Sequence, residues 1–380
     1  MSKINMTLLM VVMSAFLFYC TLPDVKPQWI SGADISSLPE IETSGGKFYE
    51  QGIEKDLLDI LKNNGCNYIR LRLWHTPENE FHNLKNVALM AKRVKEKGFY
   101  FLLDLHYSDT WADPGLQKKP SAWEGIPFHV LKDSVYSYTR KVIQTLKRQN
   151  TLPDIVQIGN EIDPGMLWEE GKVGSIHDTD QQWSSNLPEL LKAGISGVRS
   201  CLVDGESIDI MIHVASGGKS DRCQRFFNQL SAFDVPYDII GVSYYPWFFR
   251  LCGTMEDLEA NINNLAETFE KDIIVVETAY AWTMDNADER RNRVRRSDQL
   301  HAGYPATVEG QYQFLTDLQQ IIRNVKNGRG KGFFYWEPGH ITTPNRVTFR
   351  DNLALFDFKG NVLESIRAFN IERKLEGNSK

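Results

Sequence analysis

The segment DIIVVETAY, residues Asp272–Tyr280, places a run of four hydrophobic residues directly before a single glutamate. An apolar run without polar alternation is typical of a parallel strand that is covered on both faces. Seven further segments of this kind are Trp29–Ser36, Tyr68–Trp74, Tyr100–Tyr107, Ile155–Ile162, Asp209–Ala215, Asp238–Pro246 and Lys331–Gly339. Helical patterns lie between them, for example Leu84–Lys97 and Val308–Val325. Eight strands that alternate with helices predict the α/β class and a single (β/α)₈ TIM barrel.

The composition is that of an ordinary globular protein and argues against a nucleic-acid partner. The chain has 380 residues, of which 42% are hydrophobic, and its formal net charge is −6. No basic stripe of the kind that binds phosphate backbones is present in the sequence. Because α/β barrels often run long as one domain, we expect one barrel over residues 26–372 and a polar tail over residues 373–380. We expect the protein to be a monomer.

The N-terminus has the pattern of an export signal. Lys3 supplies a positive charge, and Leu8–Phe18 is an apolar segment too short to span a bilayer of about 30 Å as a helix. We therefore expect residues 1–20 to be a signal peptide and the protein to be secreted or held at the cell surface. Cys20 leaves two alternatives open. It either carries a lipid that tethers an outer-membrane lipoprotein, or the chain is simply cleaved and secreted.

Four further cysteines, Cys66, Cys201, Cys223 and Cys252, lack the CxxC spacing that is typical of a zinc site. Four cysteines permit three complete disulfide pairings, and the sequence does not choose among them. Buried free thiols are the alternative, since unpaired cysteine behaves as a small hydrophobic residue.

Two glutamates stand at the predicted ends of barrel strands, where the fold places its chemistry. Glu161 ends the fourth strand in Ile158–Ile162 (IGNEI), and Glu277 ends the seventh. Because burying an unpaired carboxylate is costly, each needs a partner or a chemical role. Strands four and seven face each other across a barrel. The pair fits glycoside cleavage, in which one carboxyl group protonates the leaving oxygen and the other attacks the anomeric carbon.

Other strand ends supply polar and aromatic side chains that suit a sugar. Arg70 and Arg72 are two residues apart on strand two and so point to the same face. We expect Arg70 to keep Glu277 ionised by lowering its pKa, together with a tyrosine, and Arg72 to serve the site or a structural ion pair. The other candidates for substrate binding or support are Asp104, His106, Trp111, Asn160, Tyr244, Tyr245, Trp247, Trp282 and Trp336. Five tryptophans are expected on one rim as a carbohydrate cleft, namely Trp111, Trp123, Trp168, Trp247 and Trp282.

At these motifs the sequence resembles the endo-β-1,4-galactanases of glycoside hydrolase family 53. The resembling stretches are GADIS (Gly32–Ser36), YIRLRLW (Tyr68–Trp74), LDLHYSDTWADPG (Leu103–Gly115), QIGNEIDPGMLW (Gln157–Trp168), GVSYYPW (Gly241–Trp247), VVETAYAW (Val275–Trp282), WEPG (Trp336–Gly339) and LALFDFKG (Leu353–Gly360). The resemblance implies a retaining endo-hydrolase of the β-1,4-galactan side chains of pectic type I arabinogalactan. It implies Glu161 as the acid/base and Glu277 as the nucleophile.

The same resemblance includes bacterial members that bind calcium between the loops near strands seven and eight. The corresponding loops of this chain, Thr283–Thr307 and His340–Asp351, differ, so we expect no metal and no cofactor. The charged stretch Asp285–Asp298 (DNADERRNRVRRSD) is interpreted as part of a solvated loop, with an ion or partner site as the alternative.

Three other functions are compatible with a barrel of this kind. A β-mannanase or cellulase would use the same two glutamates, so only the shape of the cleft separates these enzymes. A non-catalytic surface glycan-binding barrel predicts loss of a catalytic glutamate, whereas both are present. A metal-dependent hydrolase would need clustered ligands, but His75, His106, His213 and His340 lie on separate predicted strands.

Overall fold

The computed structural model describes residues 26–174 and 183–370. Eight parallel strands follow one another in sequence order, and the first pairs with the last, so that the sheet closes into one barrel. The barrel strands are β1 Ile30–Asp34, β2 Tyr68–Leu73, β3 Tyr100–Leu105, β4 Ile155–Ile158, β5 Asp209–Val214, β6 Ile239–Tyr244, β7 Asp272–Thr278 and β8 Gly330–Trp336. The predicted (β/α)₈ barrel is therefore confirmed.

Helices lie between the strands and cover the outside of the barrel. They are α1 Leu38–Thr43, α2 Leu57–Asn63, α3 Leu84–Glu96, α4 Phe128–Arg148, α5 Asn186–Arg199, α6 Ser220–Ala232, α7 Phe249–Cys252, α8 Met255–Phe269 and α9 Val308–Arg323. A short antiparallel hairpin, Phe48–Glu50 with Ile53–Lys55, follows α1. Helix α3 begins at the side-chain cap of Asn83 and is followed by Gly98 at φ +72°, the left-handed geometry that ends many helices.

The interior of the barrel is divided into an apolar lower layer and a polar upper layer. The lower layer consists of Ile30, Tyr68, Leu102, Ile155, Met211, Ile239, Ile274, Val276 and Phe334. Phe334 can occupy this space because β1 has a glycine there, since a Cβ on Gly32 would lie 2.3 Å from its ring. Residues two places further along β2 and β3, Arg70 and Asp104, point to the same interior. The polar layer therefore lies above the apolar layer, at the carboxyl ends of the strands.

All eight strands end one to four residues earlier than the sequence predicted, and β4 and β8 end more than two residues earlier. Soon after β3, β4 and β8 a residue other than glycine adopts left-handed backbone geometry, with φ 50° at Tyr107, 47° at Glu161 and 51° at Glu337. Such an angle is incompatible with extended strand geometry. The six strands other than β4 and β8 begin and end within two residues of the predicted bounds. Glu161 therefore lies in the loop after β4, not on the strand as predicted.

The four described cysteines are all buried and free, so none of the three disulfide pairings is formed. Burial raises the pKa of the Cys223 and Cys252 thiols to about 12, which makes both unreactive near neutral pH. The predicted signal peptide, Cys20 and the polar tail lie outside the described residues. Within residues 26–174 and 183–370, no helix has both the length and the apolar character needed to cross a membrane.

Candidate active site

A cavity of about 880 Å³ opens at the carboxyl ends of the barrel strands. Glu161 and Glu277 both line it, so the loop after β4 and the end of β7 bring the two carboxyl groups to one space. The other predicted site residues that line the cavity are Arg70, Arg72, His106, Trp111, Asn160, Tyr245 and Trp336. Asp104 is fully buried beneath it, in the polar layer.

Glu277 faces the cavity because β7 contains a bulge. Val276 packs in the barrel interior, so regular alternation would turn Glu277 outward toward the helices. The pairing with β6 is shifted instead, with Val242 opposite Val275 but Ser243 opposite Glu277. The additional residue on β7 re-aims the glutamate at the barrel mouth.

Two donors hold the carboxylate of Glu277. The Arg70 guanidinium donates from Nη1 to Oε1 at 2.8 Å, and the Tyr245 hydroxyl donates to Oε2 at 2.9 Å. Burial raises the pKa of Glu277 above its ordinary value, while Arg70 and Tyr245 oppose that rise. The expected lowering by Arg70 is thus present, but the net direction is upward because desolvation is the larger effect.

Arg70, on β2, contacts residues from four other strands or strand ends. Besides Glu277 it contacts Asp34 at 2.7 Å and Asp104 at 2.9 Å, and its Nη2 donates to Asn160 Oδ1 at 2.8 Å. An arginine offers only donors, so the oxygen of Asn160 must face it. The nitrogen of Asn160 then donates to Ala112 O at 2.8 Å, which leaves its second N–H for the cavity.

His106 is neutral, and its tautomer follows from its partners. Its Nδ1 accepts from Trp74 Nε1 and from the backbone N–H of Ala112, both at 3.2 Å. An acceptor nitrogen carries no proton, so Nε2 is the protonated one and donates to Asp104 at 2.9 Å. His106 therefore orients Asp104 without adding charge.

Glu161 has a different environment from Glu277. The Ser243 hydroxyl contacts its Oε1 at 2.7 Å, and His213 Nε2 contacts the same hydroxyl at 2.9 Å. Burial raises the pKa of Glu161 well above its ordinary value, and the charge of Glu277 raises it further. Of the two glutamates, Glu161 has the surroundings that more strongly favour the protonated carboxyl group.

Arg72 belongs to a second, structural ion pair. Its Nη1 lies 3.4 Å from Glu337 Oε1, and its guanidinium stacks over the Trp111 ring at 4.1 Å. Burial raises the pKa of Glu337 to about 7, and the Ser37 hydroxyl donates to it at 2.8 Å. Arg72 thus supports the aromatic wall of the cavity rather than Glu277.

Several predicted aromatic residues lie elsewhere. Tyr244 points outward, where its hydroxyl contacts His301 Nε2 at 2.7 Å, so its prediction as a site residue is wrong. Alternation places Tyr245, not its neighbour, on the inner face. The prediction of five tryptophans on one rim is also wrong, since Trp111 lines the cavity but Trp123, Trp168, Trp247 and Trp282 do not.

The misplaced tryptophans have structural partners. Trp123 packs edge-on against Tyr138 at 5.8 Å, and Trp247 lies 4.9 Å from the Tyr245 ring. Trp168 donates from Nε1 to Pro164 O at 3.1 Å, and the Trp282 ring lies 4.9 Å from Phe358. A tryptophan beyond a strand end is therefore compatible with loop packing as well as with a cleft.

Sequence analysis missed five residues of the polar network, namely Asp34, Gln157, His213, Ser243 and Glu337. Each lies at or near the carboxyl end of a strand and points to the interior. The period-two pattern was the available signal, since Met211 stands two places before His213 and Ile239 stands four places before Ser243, and both pack in the barrel interior.

The described residues contain no group of three or more His, Cys, Asp or Glu side chains that could share a metal ion. The loops after β7 and β8 do bring together Asp288 and Asp351, which Thr342 Oγ1 contacts at 2.8 Å and 3.0 Å. Calcium takes about six to eight oxygen ligands. The pair supplies only part of such a set and lies outside the residues that line the cavity.

A (β/α)₈ barrel with two carboxyl groups at one cavity, one favoured as the proton carrier and one as the anion, is the arrangement of a glycosidase. The sequence model of glycosyl hydrolase family 53 matches residues 30–369. The chain therefore belongs to glycosyl hydrolase family 53.

Individual relatives agree with this assignment. A Niallia circulans protein described only by its place in the bgaB 5′ region is 47% identical, over 90% of this chain and 93% of its own length. The arabinogalactan endo-β-1,4-galactanase of Cellvibrio japonicus is 34% identical, over 89% of each chain. The solved GH53 catalytic domain of Ignisphaera aggregans has 37% identity and a TM-score of 0.83, covering 92% of this chain and 97% of that one.

Replacing Ser243 by alanine is expected to raise the pKa of Glu161 further. The hydroxyl contact stabilises the ionised carboxylate, so its loss favours the protonated form. Carbon-detected NMR titration of the glutamate carboxyl groups measures this directly. Ser108→Ala is the control, because Ser108 is buried but bonds to the Thr110 backbone N–H instead. A Glu161 pKa that falls or stays constant in Ser243→Ala would contradict the assigned contact.

Proposed function

We propose that this glycosidase is an endo-acting, retaining hydrolase of β-1,4-galactan, the side chain of pectic type I arabinogalactan. The observation that carries the proposal is the unequal pair at one cavity, with Glu277 held by Arg70 and Tyr245 and Glu161 held by Ser243. Membership of family 53 and the name of the Cellvibrio japonicus relative support galactan as the polymer.

In the first step of the proposed reaction, a carboxylate oxygen of Glu277 attacks the anomeric carbon. The bond from that carbon to the glycosidic oxygen breaks, and Glu161 donates its proton to the departing oxygen. In the second step Glu161, now ionised, takes a proton from water. The resulting hydroxide attacks the anomeric carbon and releases Glu277 as the free carboxylate.

The remaining residues of the cavity orient the sugar in this proposal. The rings of Trp111 and Trp336 lie 6.3 Å apart and offer apolar faces to the C–H side of a pyranose. The second N–H of Asn160 is placed to donate to a sugar hydroxyl beside Glu161. Arg70 and Tyr245 hold the attacking carboxylate in one orientation, which lowers the entropy cost of the first step.

Glutamine in place of either Glu161 or Glu277 is expected to lower kcat on linear β-1,4-galactan by at least about 1,000-fold, because each change removes a proton carrier or a nucleophile. A reducing-sugar assay measures the loss, with the exposed Glu124→Gln variant as the control. Near wild-type rates in both cavity variants would contradict the assignment. Chromatography of the products from potato galactan, mannan and cellulose shows which of the three polymers is cleaved, and so distinguishes a galactanase from a mannanase or a cellulase.

The proposed double displacement is expected to retain the anomeric configuration. Two successive inversions at the same carbon give a product whose first-formed reducing end is the β anomer. Proton NMR of the anomeric signals during the first minutes of hydrolysis distinguishes the anomers before mutarotation. The α anomer as first product would show that water attacks directly and that Glu277 is not a nucleophile.

Replacing Tyr245 by phenylalanine is expected to lower kcat/KM by roughly tenfold or more, the effect of removing a hydrogen bond to a charged group. The change also raises the pKa of Glu277, whose ionised form is required, so the acidic limb of the pH profile moves to higher pH. Tyr244→Phe is a matched control, because that hydroxyl contacts His301 away from the cavity. Equal pH profiles for the two variants would contradict the role of Tyr245.

The proposed reaction uses no metal or other cofactor, since both proton transfer and attack are assigned to carboxyl groups. EDTA is therefore expected to leave kcat on β-1,4-galactan unchanged at a temperature where the protein remains folded. Circular dichroism on the same samples monitors the fold. A loss of rate without unfolding, restored by one divalent cation, would favour the metal-dependent hydrolase.

The proposed substrate also bears on location and assembly. A polysaccharide is met outside the cell, which agrees with the expected signal peptide and with secretion or surface attachment through Cys20. All residues assigned to the reaction come from one chain, so a monomer is sufficient for activity. Neither nucleic acid nor a second protein has a role in the proposed reaction.

A further inference from the structure

One end of the active-site cavity is rich in arginine. Arg290 and Arg293, from the loop after β7, and Arg346 and Arg350, from the loop after β8, all line it. Arg346 pairs with Glu40 at 3.2 Å. Among the described residues, the guanidinium groups of the other three form neither an ion pair nor a side-chain hydrogen bond. Three cations therefore face this end of the cavity with no described carboxylate within ion-pair distance.

These three arginines surround one aromatic ring. The guanidinium carbons of Arg290 and Arg350 lie 5.1 Å from the centroid of the Phe349 ring, and that of Arg293 lies 5.6 Å from it. Burial lowers the pKa of Arg350, and the charge of Arg293 adds to this lowering. Glu277, Glu337 and Tyr245 attract Arg350, but the three cations still repel one another, and an anion bound among them would relieve that repulsion.

General basicity does not explain this cluster. The whole chain carries a formal net charge of −6, so positive charge at the cavity is a local feature. The same loop contains Arg291 and Arg295, which are exposed like Arg290 and Arg293 but do not line the cavity. The charged stretch therefore contains arginines that border the substrate cavity as well as arginines that do not.

A neutral galactose unit does not require three unpaired cations, because ordinary hydrogen-bond donors and acceptors satisfy its hydroxyl groups. A carboxylate matches the guanidinium group in geometry and accepts two parallel hydrogen bonds from it. Phe248, which lines the same wall and is 37% exposed, offers apolar surface for a sugar ring. Charge and shape together fit an acidic sugar.

We propose that this end of the cavity binds a uronic acid unit of the substrate, with its carboxylate held by Arg290, Arg293 and Arg350. The inference rests on the proposed function in that the bound glycan is the one that is cleaved. Arg350 interacts electrostatically with Glu277 and Tyr245, which places this subsite on the nucleophile side of the cavity. The enzyme would thus prefer galactan at positions where the polymer carries, or adjoins, an acidic sugar.

The test compares one polysaccharide in two forms. A galactan that retains its uronic acids is assayed before and after carbodiimide–borohydride reduction of the carboxyl groups to alcohols. We expect kcat/KM of the wild-type protein to be at least about fivefold higher on the acidic form at low salt, as for a charge-assisted contact. This preference should fall as sodium chloride is added, because exposed charges are screened.

Two double variants remove the same amount of positive charge, one at the proposed subsite and one elsewhere on the loop after β7. Comparing them distinguishes the effect of the subsite from the effect of the loop's charge. Arg290→Gln with Arg293→Gln should abolish the preference for the acidic form, whereas Arg291→Gln with Arg295→Gln should retain it. Equal wild-type rates on the two forms, or equal loss of preference in the two double variants, would overturn the proposal. A stronger preference for a sulfated galactan than for the uronic acid form would also overturn the choice of a carboxylate.

Neutral linear β-1,4-galactan separates this inference from the proposed function. Wild-type protein that cleaves the neutral polymer without any preference for the acidic one contradicts the subsite alone. Wild-type protein that cleaves neither polymer contradicts the proposed function. In that case isothermal titration with acidic and carboxyl-reduced oligosaccharides decides the subsite, since tighter binding of the acidic form supports it and equal binding overturns it.

Discussion

A single buried cation, Arg70, holds the charged centre of the barrel together. Its guanidinium lies within 2.9 Å of three carboxylates, Asp34, Asp104 and Glu277, which come from three different strands. Opposite charges at this distance attract strongly in an interior of low dielectric, but one positive charge cannot balance three negative ones. The excess is stabilised by hydrogen bonds from neighbouring hydroxyl, amide and imidazole groups.

That excess negative charge explains why the pKa values of the two glutamates in one cavity are shifted to different extents. Glu277 shares Arg70 and so has a cation beside it, whereas Glu161 has only the hydroxyl of Ser243 and the repulsion of Glu277. Backbone geometry places both groups, through the bulge in β7 and the left-handed conformation at Glu161. Left-handed geometry costs about 1–3 kcal/mol for a residue other than glycine, and such costs are typical of functional sites.

Much of the fold and both glutamates could be predicted from the sequence, because continuous apolar runs followed by a polar residue are a local signal. The contribution of Asp34 and Gln157 could not, since these residues come together at Arg70 only through the closure of the barrel. The bulge that turns Glu277 inward was equally invisible, because alternation alone points it outward. The tryptophan predictions failed for a related reason, as with Trp282, since composition near a strand end does not determine which way a loop side chain packs.

The measurement that tests this account most directly is the trapping of a covalent sugar on the protein. A galactobiosyl fluoride with fluorine at C2 slows both steps, but its good leaving group lets the first proceed, so an intermediate accumulates. Peptide mass spectrometry then locates the added sugar. The proposed double displacement predicts the label on Glu277 in the wild-type protein. A label on Glu161 or on any other residue, or inactivation without a label, would contradict the central arrangement of Arg70, Glu277 and Glu161.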